Sequence, residues 1–465
     1  MTDLADLKQA RFALAPDLVL TPQGPQRDVV IAVDQGRISR VCPAADYATG
    51  DALAPAPRRL PGRAIIPGFV DAHTHLGETF GKALIGGEPS QIWRRIWMPM
   101  ETALDPQDCY VSAKWMFLEV LRGGHTAVVN YSLNDAAKNA GVHRAAAEVG
   151  IRLVSAAGLD EFSIDSDGRT QRAPREMILA RAEEHIEQCR ASPLTYPSIC
   201  CSSFYGNSLE TIAALAEFCA RRNVLFQMHA NEHFPEVHDC VVKFGKRPVE
   251  LFAGIGALGP STLLHHVTLP SEGEIELLRT SRTGVSYNPV ASQWKGNGVA
   301  PAMAYAARGV RMGIGSDNTR CDGFRALDAA ENCQRVAHGM TVIDFSCGAA
   351  WTWVDAATRG SADVCGHGHE FGSLVEGQAA DFLILDMDRP ETLPSWDFEW
   401  ELVRYYNRDQ IDAVVVDGRP VMAGGRPVGW DDRTFVEEHR ELGRRIGSVP
   451  GIVRRHGPSS QHRPR

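Results

Sequence analysis

Six side chains in this sequence have types and spacings that suit metal-assisted hydrolysis. His73 and His75 close the apolar run Ile65-Ile66-Pro67-Gly68-Phe69-Val70-Asp71-Ala72-His73-Thr74-His75. Residues i and i+2 of a strand point to the same side, so both imidazoles can reach one ion. A second run, Val224-Leu225-Phe226-Gln227-Met228, leads into His229 and, three residues on, Glu232. Thr262-Leu263-Leu264 ends at His265, and Arg311-Met312-Gly313-Ile314-Gly315-Ser316 ends at Asp317. An HxH pair alone reads equally well as two polar loop residues, so the weight lies in the set. Three neutral imidazoles and a carboxylate drawn from it suit zinc or ferrous iron and leave a position open for water. Such an ion lowers the pKa of its water toward about 7, which supplies hydroxide near neutral pH. The leftover Glu and His can then move protons.

These groups act together only if the fold brings several strand ends to one place. Between about residues 67 and 372, short apolar runs at 126–129, 151–156, 224–228, 262–265, Gly284–Tyr287 and 311–315 alternate with stretches of helical spacing such as 177–190 and Leu209–Arg222. Strands alternating with helices imply βα units on a parallel sheet. About 300 residues and seven or eight such units favour a (β/α)8 TIM-like barrel over an open sheet, and in a barrel the C-terminal strand ends share one mouth where catalysis sits. The chain ends have another texture: Val29-Val30-Ile31-Ala32-Val33, the turn Asp34-Gln35-Gly36, then Ile38-Ser39-Arg40-Val41, matched late in the chain by strand-like runs at 381–386 and 411–418. These read as hairpins. The expected α/β architecture is therefore a barrel over residues 67–371 and a small β-sandwich domain built from 1–66 and 372–430, followed by a C-terminal helix and tail over 431–465.

The motif Pro67-Gly68-Phe69-Val70-Asp71-Ala72-His73-Thr74-His75, with His229-x-x-Glu232, His265, Asn288-Pro289, Gly313-x-Gly315-Ser316-Asp317 and Gly372-x-Leu374-x-x-Gly377-x-x-Ala380-Asp381, resembles the amidohydrolase superfamily over nearly the whole chain. The nearest branch is the cytosine deaminase and chlorohydrolase-like group, which includes guanine and S-adenosylhomocysteine deaminases and atrazine chlorohydrolase. The resemblance implies that His73, His75, His229 and Asp317 hold a single divalent ion, zinc ahead of ferrous iron. It implies that Glu232 passes a proton to a ring nitrogen and then to the leaving amine, and that His265 with Asp317 orients or deprotonates the water. His266 has the wrong parity for the same mouth if its strand is regular, and is left out. Binuclear relatives add a carboxylated lysine on the fourth strand, whereas 197–205 holds Cys200 and Cys201 and no Lys, which favours one metal. The implied reaction replaces an exocyclic amino group on a purine, pterin, pyrimidine or triazine type heterocycle with oxygen and releases ammonia. Loss of chloride or an alkylamine from a triazine-like ring, opening of a cyclic amide or imide, and a non-catalytic metal-binding barrel are the alternatives.

Composition bounds the partners. The 465 residues are 44% hydrophobic and 23% charged, the balance of a globular chain. A net charge of -9 without clustered Lys and Arg argues against nucleic acid. No run of 18 or more apolar residues suggests a membrane span, and the N-terminus shows no secretory h-region. Eleven cysteines are too sparse for a disulfide framework. A cytoplasmic homo-oligomer, dimer or tetramer, acting on a small heterocycle is expected. His367-Gly368-His369 is a second HxH in a Gly-rich turn with no expected metal role, and His233 and His238 are expected at the surface, with lining of the pocket as the alternative. Trp93, Trp97 and Met98 suit an aromatic wall or plain helix packing. The turn Leu76-Gly77-Glu78 departs from the basic, Leu-rich turn of many members, and Asn318 and Arg320 follow Asp317 in a polar loop; these leave the substrate open.

Overall fold

The computed structural model describes residues 9–47, 55–88, 92–132, 135–164, 169–343 and 348–456. The N-terminal strands are β1 (Arg11–Thr21), β2 (Val29–Asp34), β3 (Arg37–Pro43) and β4 (Arg58–Pro67). Eight parallel strands follow: β5 (Phe69–Thr74), β6 (His125–Asn130), β7 (Arg152–Gly158), β8 (Thr195–Cys200), β9 (Leu225–Ala230), β10 (Thr262–His266), β11 (Gly284–Tyr287) and β12 (Met312–Ile314). They form one sheet in which sequence neighbours are spatial neighbours. Helices lie between them, Ala136–Val149 and Leu209–Arg222 among others; these start at the N-caps Asp135 and Ser208 and end in left-handed caps at Gly150 and Asn223. Because helices cover the outside and side chains fill the inside, the barrel strands are buried almost throughout and read as continuous rather than alternating apolar runs.

The sheet curls into a barrel whose seam runs between β12 and β5. Asp71 Oδ1 accepts from Ser316 N at 2.9 Å and His73 N at 3.2 Å, and Asp317 N donates to His73 O at 2.8 Å. Asp71 in the first motif is thus the clasp that brings the HxH strand to the Asp317 strand.

Three late strands, β13 (Phe382–Asp386), β14 (Ile411–Val416) and β15 (Arg419–Ala423), join the N-terminal ones. With the short strands Gly24–Gln26 and Arg426–Pro427 these make, among the described residues, one nine-stranded sheet in which β13 pairs β4 antiparallel and β4 pairs β1 parallel. It folds back on itself, with Ala380 N donating to Gly36 O at 2.8 Å. Phe12, Leu14, Ile31, Phe382, Ile384 and Val415 pack in the resulting core. The sandwich-like packing of the two chain ends comes from this curl of a single sheet.

Asp381, last residue of the Gly372 motif, locks this sheet to the barrel. Arg152, at the start of β7, binds both its oxygens (2.5 and 3.1 Å) and also reaches Asp417 at 3.0 Å and the Tyr196 hydroxyl at 3.0 Å. Arg152 and Asp381 are each 2% exposed. Removing one partner of such a pair leaves a buried uncompensated charge. The variant Arg152→Met is therefore expected to lose about 3–5 kcal/mol of stability by denaturant titration, and a loss under 1 kcal/mol would count against this lock.

Candidate metal centre and its acid–base partners

Side chains from the ends of β5, β9, β10 and β12 meet at the barrel mouth. Asp317 Oδ1 lies 3.4 Å from His73 Nε2 and 3.3 Å from His75 Nε2. The ligand atoms of His73, His75 and Asp317 are within 4.8 Å of one another, as are those of His73, His229 and His266, and those of Glu232, His266 and Asp317. The rings of His73 and His229 are 4.9 Å apart, and Tyr131 packs edge-on against His229 at 4.4 Å. Both ring nitrogens of His73 and Oδ1 of Asp317 are buried without a hydrogen-bond partner. Buried polar atoms are ordinarily satisfied, and imidazole nitrogens facing a carboxylate oxygen form the donor set of a divalent ion. The residues present fit such an ion.

The electrostatics of His73, His229 and Asp317 favour ligation, whereas His75 must give up a proton to ligate. Burial pushes the His73 imidazole down to about 3 and holds His229 well below its ordinary value, so both are neutral near pH 7. His75 is also buried, but Glu78 and Asp317 outweigh that and pull it up to about 9. Asp317 is held well below the usual carboxylate range: burial opposes its charge, and Lys295 and the imidazoles favour it more strongly. Glu232 is depressed likewise, by His266 and His233 against burial.

Tight turns build the mouth. Non-glycine residues at positive φ cost about 1–3 kcal/mol each and gather at functional sites; here they are Asn231 (φ 51°), His266 (71°), Val267 (43°), Asp317 (50°) and Asn318 (55°). Gly315 serves closeness instead: a Cβ there would stand 2.3 Å from Asn288 Oδ1 and 2.7 Å from His73 Cβ. Glu236 ties the Glu232 turn, accepting from Glu232 N at 2.8 Å and Asn231 N at 3.2 Å.

His73, His75, His229, Glu232 and Asp317 are brought together as the sequence led one to expect. His265 is not among them in the expected way. Its Nε2 bonds Gln227 Oε1 at 3.0 Å, and its ring stacks on His73 at 3.8 Å, within a polar ladder through Gln227 and Ser198 that fills the barrel. His266, set aside on parity, has Nε2 3.5 Å from Glu232 Oε1 and 3.8 Å from Asp317 Oδ2. Strand parity does not hold here because β10 leaves the extended region at His266 (φ 71°), so two successive side chains no longer point to opposite faces.

Other neighbours had no catalytic or ligand role expected from the sequence. Glu78 Oε1 stands 3.8 Å from His75 Nδ1, and Asn318 Nδ2 donates to Glu78 Oε2 at 3.4 Å. Glu101 is half-buried beside them, its carboxyl pushed up to about 8 by desolvation and by Glu78. The Lys295 ammonium bonds Asp317 Oδ2, and Asn297 Nδ2 donates to Glu232 Oε1 at 2.9 Å. His233, expected at the surface, is half exposed, yet its Nε2 is 3.1 Å from Glu232 Oε1; His238 is exposed. Trp97 is buried against Gly81, while Trp93 and Arg320 are exposed. His367 packs on Tyr196 at the opposite end of the barrel. A buried cluster of His143, His185 and Cys189 is a satisfied core: both rings bond Ser155, at 2.8 Å each.

A parallel barrel with imidazoles and carboxylates gathered at the C-terminal strand ends is the build of a barrel enzyme. The chain belongs to the amidohydrolase family, whose model matches residues 64–421. It is 27% identical over 384 residues to a 5-methylthioadenosine/S-adenosylhomocysteine deaminase of Thermodesulfovibrio yellowstonii, covering 81% of this chain and 84% of the relative. It is 27% identical to a 5'-deoxyadenosine deaminase of Methanopyrus kandleri over 94% of this chain and all of the relative. Among solved structures it resembles an adenosine deaminase from Xanthomonas campestris with bound zinc (TM-score 0.84, 24% identity, 94% of this chain and 99% of that one). It also resembles the zinc complex of atrazine chlorohydrolase TrzN from Arthrobacter aurescens TC1 (TM-score 0.80, 20% identity, 93% and 100%).

Proposed function

We propose that this protein is a metal-dependent aminohydrolase that replaces an exocyclic amino group of a nitrogen heterocycle with oxygen and releases ammonia. The observation that carries this is the gathering of His73, His75, His229 and Asp317 at the barrel mouth, where His73 groups with His75 and Asp317 on one side and with His229 and His266 on the other, and Glu232 is reached through His266. The four would hold one divalent ion, zinc before ferrous iron. Such an ion supplies Lewis acidity and lowers the pKa of a water it binds toward about 7. His266 Nε2, 3.8 Å from Asp317 Oδ2, is placed to orient the attacking water and take its proton, so the role expected of His265 falls to His266. Attack at a C=N carbon builds charge on the ring nitrogen, and Glu232 delivers a proton there and a second to the departing amine. With ammonia as the leaving group, water adds its oxygen to the ring carbon, one of its protons ends on the ring nitrogen and the other departs on the ammonia.

The deaminases named above make 5'-modified adenosines the first substrates to try, ahead of aminopterins, aminopyrimidines and amino- or chlorotriazines. Ammonia release from at least one aminated ring is expected, lost on treatment with a chelator and restored by zinc. Protein carrying one metal per chain that releases ammonia from none of them would overturn the proposal. We further propose a homo-oligomer, for which exposed Val336, Met340, Val342 and Ile343 offer a face. We also propose a reducing cytoplasmic setting, in keeping with cysteines too sparse for a disulfide framework. No helix among the described residues is long and apolar enough to cross a membrane.

A further inference from the structure

Lys295 and Asn297 belong neither to the ligand set nor to the reacting groups, yet each binds one of the two carboxylates that the reaction uses. Lys295 ends the helix Pro289–Lys295 after β11, and its nearly buried ammonium bonds Asp317 Oδ2. Gly296 takes a left-handed conformation (φ 69°) that reverses the chain within one residue, and Asn297 then donates to Glu232 Oε1. The turn is anchored at its base. Ser292 Oγ bonds Asn288 O at 3.3 Å and Gly298 O at 3.0 Å. Gly298 lies against Thr268, whose Oγ1 donates to Glu232 O at 2.8 Å. The three-residue turn is therefore held at a set distance from the Glu232 backbone as well as its side chain.

The bonds are selective between oxygens. Asp317 turns Oδ1 toward His73 and His75 while Lys295 occupies Oδ2. Glu232 Oε1 accepts from Asn297 at 2.9 Å and has His233 Nε2 and His266 Nε2 beside it at 3.1 and 3.5 Å, so Oε2 is the oxygen without these neighbours. An oxygen already accepting from fixed donors is a poor place for an acid proton, so the transferable proton of Glu232 is directed to Oε2. We propose that Lys295 and Asn297 are positioning residues: Lys295 sets which oxygen of Asp317 faces the imidazoles, and Asn297 sets which oxygen of Glu232 carries its proton. This rests on the aminohydrolase reading above.

The test compares Lys295→Met and Asn297→Ala with wild type on an aminated heterocycle that wild type turns over. Metal content by mass spectrometry and melting temperature are read on the same samples. A misplacement near 1 Å costs about 100-fold in rate, so kcat is expected to fall about 10- to 100-fold in each variant. KM should change less than about 3-fold, with metal content and melting unchanged. Lys295→Arg should recover more of the rate than Lys295→Met, and added ethylamine should raise the rate of Lys295→Ala. Wild-type kcat in both variants would overturn the proposal. So would metal or melting temperature falling in step with activity, or a loss confined to KM. If Lys295→Met does not fold, Asn297→Ala, at a half-buried position, decides by the same criteria. An active wild type with unaffected variants sinks the positioning claim alone; a wild type inactive on every aminated ring sinks the underlying reading.

Discussion

Replacing Glu232 with Gln lowers kcat for ammonia release by about 10²- to 10⁴-fold, the range for removal of a positioned general acid–base, while bound metal and melting temperature stay at wild-type values. The substitution keeps the volume of a half-buried side chain and still offers Asn297 an oxygen to bond. It removes the ability to take a proton and give it up again. Because Glu232 reaches the ligand set through His266 rather than lying within it, metal retention is part of the expectation. Steady-state ammonia release with metal analysis on the same preparation measures it. The leaving group adds a second readout, since chloride departs without a proton. On a chlorinated ring of the same shape the variant should lose less activity than on the aminated one. Full deamination by Glu232→Gln would remove the proton-shuttle role.

The paired variants His266→Gln and His265→Gln separate two adjacent imidazoles. His266 Nε2 lies between Glu232 Oε1 and Asp317 Oδ2, and losing its ring should cost about 10²-fold or more in kcat. His265 donates to Gln227 inside the barrel. A glutamine there can keep that bond, so kcat should remain within about 10-fold of wild type. What loss occurs should appear as stability, because an unsatisfied Gln227 oxygen would cost about 1–3 kcal/mol. The reverse ranking of the two kcat values would return the role to His265.

Much of the site could be read before any coordinates. His73 and His75 sit on a strand whose two-residue period makes them co-facial in any regular sheet, and the three-residue step from His229 to Glu232 keeps both near one strand end. The barrel followed from apolar runs alternating with helical stretches, and the observed β11 and the helix Leu209–Arg222 have the bounds read from those patterns. Asp381 was visible as part of a motif, but its reason, the bond to Arg152, was not: the two are 229 residues apart. Lys295, Asn297, Glu78 and Glu101 lie in loops and helix ends, where no periodicity says which way a side chain faces. A lone lysine soon after Asn288-Pro289 was the single available hint.

By itself the sequence determined the order of strands and helices, the residue types gathered at the mouth and their assignment to strand ends, because these depend on local periodicity and polarity. Only the tertiary structure decided between His265 and His266. Strand parity holds while the backbone stays extended, and closing the barrel over the site turns His266 and Val267 into the left-handed region, so that the second imidazole of the pair reaches Glu232 and Asp317 and the first packs into the barrel.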